Sequence, residues 1–263
     1  MRFDVITLFP ELFTPFLSIG ITRRAFDAKI VDVRLWNPRD YAQGTYRRID
    51  DRPFGGGPGM VMMAQPLQQC LEAIQTERLK QAADAGDKAP VVLFSPIGQA
   101  LNHKNVEHWS ASSGAVLICG RYEGIDQRFI DTHVDIQISL GDFVLSGGEI
   151  AALALLDAVA RLQPGVLSDE DSHHLDSFNP ALDGLLDCPH YTRPEIWGDS
   201  AIPKVLLSGH HLNIERWRRD QRLLLTAKHR PDLLLAARQA GHLSKLDEAT
   251  LASESILSYS KSP

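Results

Sequence analysis

AVLICGRYEGIDQRFIDTHVDIQISLGDFVLSGGE, residues 115–149, is the stretch on which the reading of this chain turns. Its first five residues, Ala115 to Cys119, are an unbroken apolar run of the length and composition of a buried strand. Gly120-Arg121-Tyr122-Glu123-Gly124 ends that run. A second strand-like segment, Val134 to Leu140, runs into Gly141-Asp142, and the pair Gly147-Gly148 opens a helical pattern. Glycine at such places lets backbone N–H and C=O groups come close to a ligand with no Cβ in the way. Any one of these breaks alone is an ordinary turn. Two in one short region, each with a carboxylate (Glu123, Asp142), point to a ligand site.

Working outward, 263 residues make one large domain, or a domain with a smaller companion, and can bury a sizeable core. The 44% hydrophobic and 23% charged content is that of a soluble globular protein. No apolar run approaches the ~20 residues that span a bilayer. Met1-Arg2-Phe3-Asp4 enters a strand pattern at once, without the charged and apolar regions of a secretory signal. Cys70, Cys119 and Cys188 stand far apart, which fits neither a disulfide framework nor a four-ligand zinc site. The expectation is a cytoplasmic protein with no membrane partner. The net charge of -6 provides no global footprint for nucleic acid, so any RNA site must be a local basic patch.

Upstream, Phe3 to Phe9 and Ile30 to Trp36 read as strands, with a helix over Glu11 to Ala28 between them. Arg39 to Asp51 is polar, mixed in charge and expected to be exposed. Arg52-Pro53-Phe54-Gly55-Gly56-Gly57-Pro58-Gly59-Met60 cannot form a regular element. It lacks the Gly-Lys-Ser/Thr ending of a phosphate loop and the spacing of a dinucleotide fingerprint. Close backbone packing and a loop presenting amides to a ligand remain equal readings of it. Gln65 to Ala83 reads as helix, with Pro66 tolerated in its first turn. Val91 to Phe94 reads as a short buried strand ending in Ser95-Pro96-Ile97-Gly98-Gln99, and Leu101 to Ser112 as a short helix. Ile150 to Leu162 is a helix apolar on most sides, so it should be buried. Its charged pair, Asp157 and Arg161, is either a helical ion pair or an arginine aimed into a site. Strands alternate with helices throughout Phe3 to Leu162, the pattern of an α/β domain with a mostly parallel sheet. In such sheets ligands bind beyond the carboxyl ends of the strands. The breaks after Phe94, Cys119 and Leu140 would meet there.

Composition changes at Pro164. Ser168 to Asp176 (SDEDSHHLD) is acidic, has no apolar periodicity and reads as a linker, with little to bury in the absence of a partner. Leu185 to Trp197 is proline-punctuated and aromatic; Cys188 and His190 lack a second pair at metal spacing. Between Lys204 and Arg238 eight lysines and arginines stand against three carboxylates, with Trp217, His210, His211 and His229 among them. A solvated helix face would also look like this, but the clustering favours a phosphate-contacting surface. Leu243 to Leu257 is a last amphipathic stretch.

Four blocks carry a resemblance: Asp50-Asp51-Arg52-Pro53-Phe54-Gly55-Gly56-Gly57-Pro58-Gly59-Met60; Cys119-Gly120-Arg121-Tyr122-Glu123-Gly124-Ile125-Asp126; Leu140-Gly141-Asp142-Phe143-Val144-Leu145-Ser146-Gly147-Gly148-Glu149; and Leu186-Asp187-Cys188-Pro189-His190-Tyr191-Thr192-Arg193-Pro194. Together, and in this order, they resemble the bacterial tRNA (guanine-N1)-methyltransferase family TrmD, of the SPOUT class, from the N-terminus to about Arg238. Leu140 and Phe143 stand where an Ile and a Tyr are more usual. Ser172-His173-His174-Leu175 stands where the family has small polar and acidic residues, which leaves the path into Asp176 open. The stretch 76–90 and the tail after Arg238 have no counterpart with a known role.

The resemblance implies an S-adenosylmethionine-dependent enzyme that methylates N1 of the guanosine immediately 3′ of the anticodon in tRNA. It implies an α/β fold with a trefoil knot and a small all-helical C-terminal domain, working as a homodimer on the anticodon stem-loop. The divisions would be a methyltransferase domain over 1–167, a flexible linker over 168–180 and a tRNA-binding helical domain over 181–263. Residues alone would have suggested an ordinary open sheet. By the same resemblance Asp176, in Asp176-Ser177-Phe178, is the general base, and Arg161 stabilises charge on guanine O6. Ser95, Pro96, Gly120, Tyr122, Glu123, Leu140, Gly141, Asp142, Phe143, Val144, Leu145, Gly147 and Gly148 would cradle the methyl donor, with Glu123 also near a Mg2+ ion.

Overall fold

The computed structural model describes residues 1–81, 88–168 and 173–259. They fall into two compact units, Met1–Ser168 and Asp169–Pro263.

The first unit is built on five parallel strands: β1 (Arg2–Ile6), β2 (Asp32–Trp36), β5 (Val91–Ala100), β6 (Gly114–Ile118) and β7 (Ile136–Ser139), in the order β2-β1-β6-β5-β7. A short antiparallel pair, β3 (Asp50–Asp51) and β4 (Val61–Met62), flanks the glycine-rich loop. β6 reads as continuous apolar sequence because both of its faces are covered, as in parallel sheets generally. Ala115, Leu117 and Cys119 join a core with Leu155, Leu156 and Val159 of α6 (Glu149–Arg161). Phe13 of α1 (Phe13–Ser18), Ala25 of α2 (Arg23–Asp27) and Trp109 of α4 (His103–Ser110) complete that layer. Val116 and Ile118 face the other way, onto Leu67, Leu71 and Ile74 of α3 (Ala64–Gln81) and Phe129 of α5 (Gln127–His133). Because all five strands run the same way, the loops after β5, β6 and β7 emerge at one edge.

Two expectations change here. The single helix over Glu11 to Ala28 is instead a 3-10 turn (Pro10–Leu12) followed by α1 and α2. Ile19 is extended and Gly20 is left-handed (φ 82°), which ends α1. β5 is ten residues long, not four. Phe94 and Gln99 both pair with Ile138 of β7, so Ser95 to Gly98 loop out of the ladder before the strand resumes. Of the insertion-like stretch 76–90, residues 76–81 complete α3 and 82–87 lie outside the described residues.

The second unit packs α7 (His211–His229), α8 (Pro231–Gln239) and α9 (Lys245–Tyr259) around Leu185, Leu223, Leu234 and Ala237. It also holds a two-residue-a-side hairpin, β8 (Ile196–Trp197) with β9 (Ser200–Ala201), so it is not all-helical. Its basic stretch differs from the expected open cationic face. Arg216 pairs with Asp220 and Asp247, Arg219 with Asp183 and Asp247, Arg222 with Asp187, Arg230 with Asp232, and Arg238 with Glu248. Five of the eight cations therefore hold carboxylates, four of which (Asp183, Asp187, Asp247, Glu248) come from outside the stretch. Lys204, Arg218 and Lys228 are exposed and make no ion pair among the described residues. No described helix is long and apolar enough to cross a membrane.

Candidate active site

At the carboxyl edge of the sheet the three emerging loops enclose a cavity of about 370 Å³. Ser95 and Pro96 come from the β5 excursion, Gly120, Tyr122 and Glu123 from the loop after β6. Leu140, Gly141, Phe143, Val144, Leu145, Gly147 and Gly148 come from the segment after β7. Asp142 belongs to that last segment but is exposed and does not line the cavity. Arg121, Ile125, Gln127, Ile130, Gln137, Ser139 and Ala151 line it as well; the resemblance gives the donor the stretch Gly120 to Glu123, which contains Arg121, and none of the other six stood out in the sequence. For Arg121 a signal existed, since it lies between two residues that did.

The walls are set by backbone contacts. The Gly148 N–H donates to Gly120 O at 3.0 Å, and Arg121 and Gly147 form an antiparallel bridge. A Cβ on Gly148 would stand 2.8 Å from Cys119 Cα and 3.3 Å from Gly120 N, so only glycine permits this approach. The loop after β6 is held on its other side by β4. Glu123 N–H donates to Met60 O (3.0 Å), Met62 N–H to Gly124 O (2.9 Å) and Asp126 N–H to Met62 O (3.0 Å). Arg121 N–H points at Met62 Sδ, 3.2 Å away. Within the glycine-rich loop close packing is seen at Gly59 (φ 76°), where a Cβ would lie 2.4 Å from Glu123 Oε1, whereas a Cβ at Gly55, Gly56 or Gly57 would meet nothing within 4 Å. Tyr122 is left-handed (φ 59°), a conformation non-glycine residues rarely adopt. Partial burial and the neighbouring Asp50 push its hydroxyl above the ordinary tyrosine range, against the pull of Arg39.

Chemically, the cavity suits a ligand held through main-chain groups. Its volume is within the range of small-molecule sites, and its glycines keep side chains off the walls. Cys119, next to Gly120, is buried and does not line the cavity, and burial, reinforced by Glu149, drives its thiol well above the usual range. Glu123 is the only carboxylate among the lining residues and so does not make a magnesium cage by itself. The one set of three potential metal ligands among the described residues is Asp187, Cys188 and His190, in the second unit. There Asp187 already bonds His190 Nε2 (2.8 Å), Arg222 Nε (3.3 Å) and the Cys188 N–H (2.7 Å). Burial works against ionisation of Asp187, but these three contacts outweigh it and hold the carboxyl below its usual range. This cluster ties the segment to α7 rather than awaiting a cation.

Arg161 is the last residue of α6 and is half-buried. Asp176 is half-buried in a braced turn of the second unit. Asn179 N–H donates to Asp176 O (3.2 Å), Asn179 Nδ2 to His173 O (3.0 Å), and Asp187 N–H to Ser177 Oγ (2.9 Å). Phe178 N–H donates to Leu185 O at 2.9 Å. The expected linker is thus a hydrogen-bonded turn from His173 onward, while residues 169–172 lie outside the described residues.

Residues 1–236 match the sequence model of the family described as tRNA (Guanine-1)-methyltransferase TrmD. Among similar proteins, one from Polaromonas sp. is 72% identical over 252 residues, covering 96% of both chains. One from Paracidovorax citrulli is 71% identical over 96% of this chain and 98% of its own. One from Albidiferax ferrireducens is 69% identical over 97% of this chain and 100% of its own. All three carry the name tRNA (guanine-N(1)-)-methyltransferase.

Proposed function

The chain belongs to the tRNA (guanine-1)-methyltransferase TrmD family, and from that premise we propose that it uses S-adenosylmethionine to methylate N1 of guanosine at position 37 of tRNA, immediately 3′ of the anticodon. It is an enzyme, a transferase that acts on guanine in tRNA. The observation that carries the finer reading is the glycine-walled cavity where three loops of a parallel sheet meet. The donor would lie among Ser95, Gly120, Gly141 and Gly148, contacted through backbone groups. It supplies an electrophilic methyl on a sulfonium centre.

The chain's own residues must then handle one proton and one developing charge. N1 of neutral guanine carries a proton, and Asp176 is the group assigned to take it. As the proton leaves, negative charge grows on O6, and Arg161, a permanent cation, stabilises it there. The turn that bears Asp176 is braced by Ser177 and Asn179, which fixes the backbone from which the carboxylate projects. Glu123 stays a candidate contact of the donor, but no step is assigned to a metal ion.

In this reading the enzyme works in the bacterial cytoplasm as a homodimer, with the family's knotted arrangement of the segment after β7. Large apolar side chains exposed on the first unit, including Ile19, Ile21 and Ile150, are the kind of surface a second copy would cover. Lys204, Arg218 and Lys228 are available for phosphate contact. Incubation with a tRNA transcript and S-adenosylmethionine, followed by mass spectrometry of nuclease digests, tests the proposal. The expected product is 1-methylguanosine at that one nucleotide. A methyl on a ribose 2′-oxygen, on another nucleotide, or no transfer would refute it.

A further inference from the structure

We propose that Arg121 and the fully buried Glu149 form a positioning pair that fixes the spacing of the two glycine-bearing cavity walls and thereby sets affinity for the methyl donor. The proposal rests on reading the cavity as the donor site. Glu149 is fully buried at the first turn of α6, where the helix N-terminus favours a carboxylate. Arg121 Nε lies 2.9 Å from Glu149 Oε2. Thr7, just past β1, donates its hydroxyl to Glu149 Oε1 at 2.9 Å, and the same hydroxyl accepts the Phe9 N–H at 3.0 Å. The Arg121 guanidinium sits 4.5 Å over the Phe9 ring, and its Nη1 donates to Ser146 O at 3.1 Å.

One ion pair thus joins three chain segments: the end of β1, the loop after β6 and the loop that enters α6. Gly147 lies directly on it, since a Cβ there would be 2.2 Å from Arg121 Nε and 2.6 Å from Glu149 Oε2. A change in the separation of the two charges must therefore move the wall that carries Gly147 and Gly148. Buried ion pairs add little net stability compared with apolar replacements, because desolvation offsets their attraction. What this pair contributes is geometry: a guanidinium tied through Nη1 to Ser146 on one side and a helix-anchored carboxylate on the other, their charges in contact although Arg121 Nε and Glu149 Oε2 form no hydrogen bond.

The test compares the intact enzyme with Glu149→Gln, Arg121→Gln, Arg121→Lys, Thr7→Val and the double variant Arg121→Gln/Glu149→Gln. Calorimetry with S-adenosylmethionine provides Kd, and methylation assays provide KM for donor and tRNA together with kcat. Expected is a rise in donor Kd and KM of about tenfold or more for Glu149→Gln and about threefold for Thr7→Val. The kcat at saturating donor and the KM for tRNA should stay within about threefold. Arg121→Lys should fall between, as it keeps charge but not the fork. The double variant should bind donor better than the two single losses combined predict, because no lone charge is left. Unchanged donor affinity in folded single variants, or a lower melting temperature without loss of donor affinity, overturns the proposal. A loss confined to kcat overturns it as well. Should Glu149→Gln not fold, Thr7→Val and Arg121→Lys decide by the same readouts. A wild-type protein that binds no donor overturns the reading of the cavity, and this inference with it. A wild type that binds, with variants binding equally well, overturns this inference alone.

Discussion

Asp247→Asn isolates what a single carboxylate does for the second unit. Asp247 is 3% exposed and serves two elements at once. Its N–H donates to Ser244 Oγ (3.2 Å) while its Oδ2 accepts the Ser244 N–H (2.9 Å), a reciprocal cap at the start of α9. Its oxygens also hold Arg216 Nη1 (2.9 Å) and Arg219 Nη2 (3.3 Å) of α7. Burial would raise its pKa, but the Ser244 amide, Arg219, the Ser244 hydroxyl and Arg216 together lower it from 3.8 to about 2. At 1.36 kcal/mol per pKa unit, that gap is worth about 2 kcal/mol of folding stability. The folded pKa is the lower one, so the stabilisation is complete above the unfolded value of 3.8 and disappears as pH falls through about 2. Asparagine keeps the shape and one acceptor but not the charge. The variant should therefore be about 2 kcal/mol less stable at pH 6, about 1 kcal/mol less at pH 3, and nearly equal below pH 2. Urea unfolding followed by the indole N–H resonances of Trp197 and Trp217 reports on the second unit specifically. An equal deficit at pH 6 and pH 3 would refute the electrostatic argument and leave only the cap.

Three further outcomes follow from the same physics. Arg78→Met removes the guanidinium that bonds Asp4 Oδ2 (2.6 Å), Arg2 O (2.7 Å) and Ala115 O (3.2 Å), leaving the fully buried Asp4 with Arg2 and Trp36. Urea denaturation should show a loss of about 1.5–3 kcal/mol, since Arg2 still compensates the charge, and a loss under about 0.5 kcal/mol would contradict a dependence of Asp4 on Arg78. Asp176→Asn should slow single-turnover methylation by about 10²- to 10⁴-fold, with donor affinity kept; a near-normal rate would remove Asp176 as the base. Gly148→Ala forces a Cβ to 2.8 Å from Cys119 Cα, so the two walls must part, and calorimetry should show donor affinity down by about tenfold or more.

Why some of this was legible in the sequence and some was not comes down to where the deciding contacts lie. β6 was readable because a strand covered on both faces is apolar at every position, whatever its neighbours are. The three loop breaks were readable because glycine marks a close approach even when its partner is unknown. The return of β5 after Phe94 was not, because Gln99 and Ala100 pair with β7, about forty residues downstream, and nothing local announces that ladder. The pairing of Arg121 was hidden for a related reason. Its partners Phe9 and Glu149 come from opposite ends of the first unit, so its role exists only after folding. The roles proposed for Asp176 and Arg161 were never in the pattern at all; residues alone offered an acidic segment and an arginine on an apolar helix.

The basic stretch from Lys204 to Arg238 shows the same limit acting on charge. A count along the chain treats each arginine as a surface cation, yet Arg216, Arg219 and Arg222 lie on one side of α7 at helical spacing and face carboxylates brought in by other segments. Asp183 and Asp187 precede the stretch, and Asp247 and Glu248 follow it, so a window drawn around the helix counts the cations and misses their partners. Cations so held are poor candidates for releasing counterions from a nucleic acid, because their charge is already matched. If RNA docks on this unit, the salt dependence of binding should reflect a few exposed cations, of which Lys204, Arg218 and Lys228 are the candidates. Replacing each by glutamine and measuring the slope of log Kd against log salt separates the two views. A slope that falls by about one for each of these residues, and is insensitive to charge removal at Arg238, supports the paired-cation reading, and the opposite pattern defeats it.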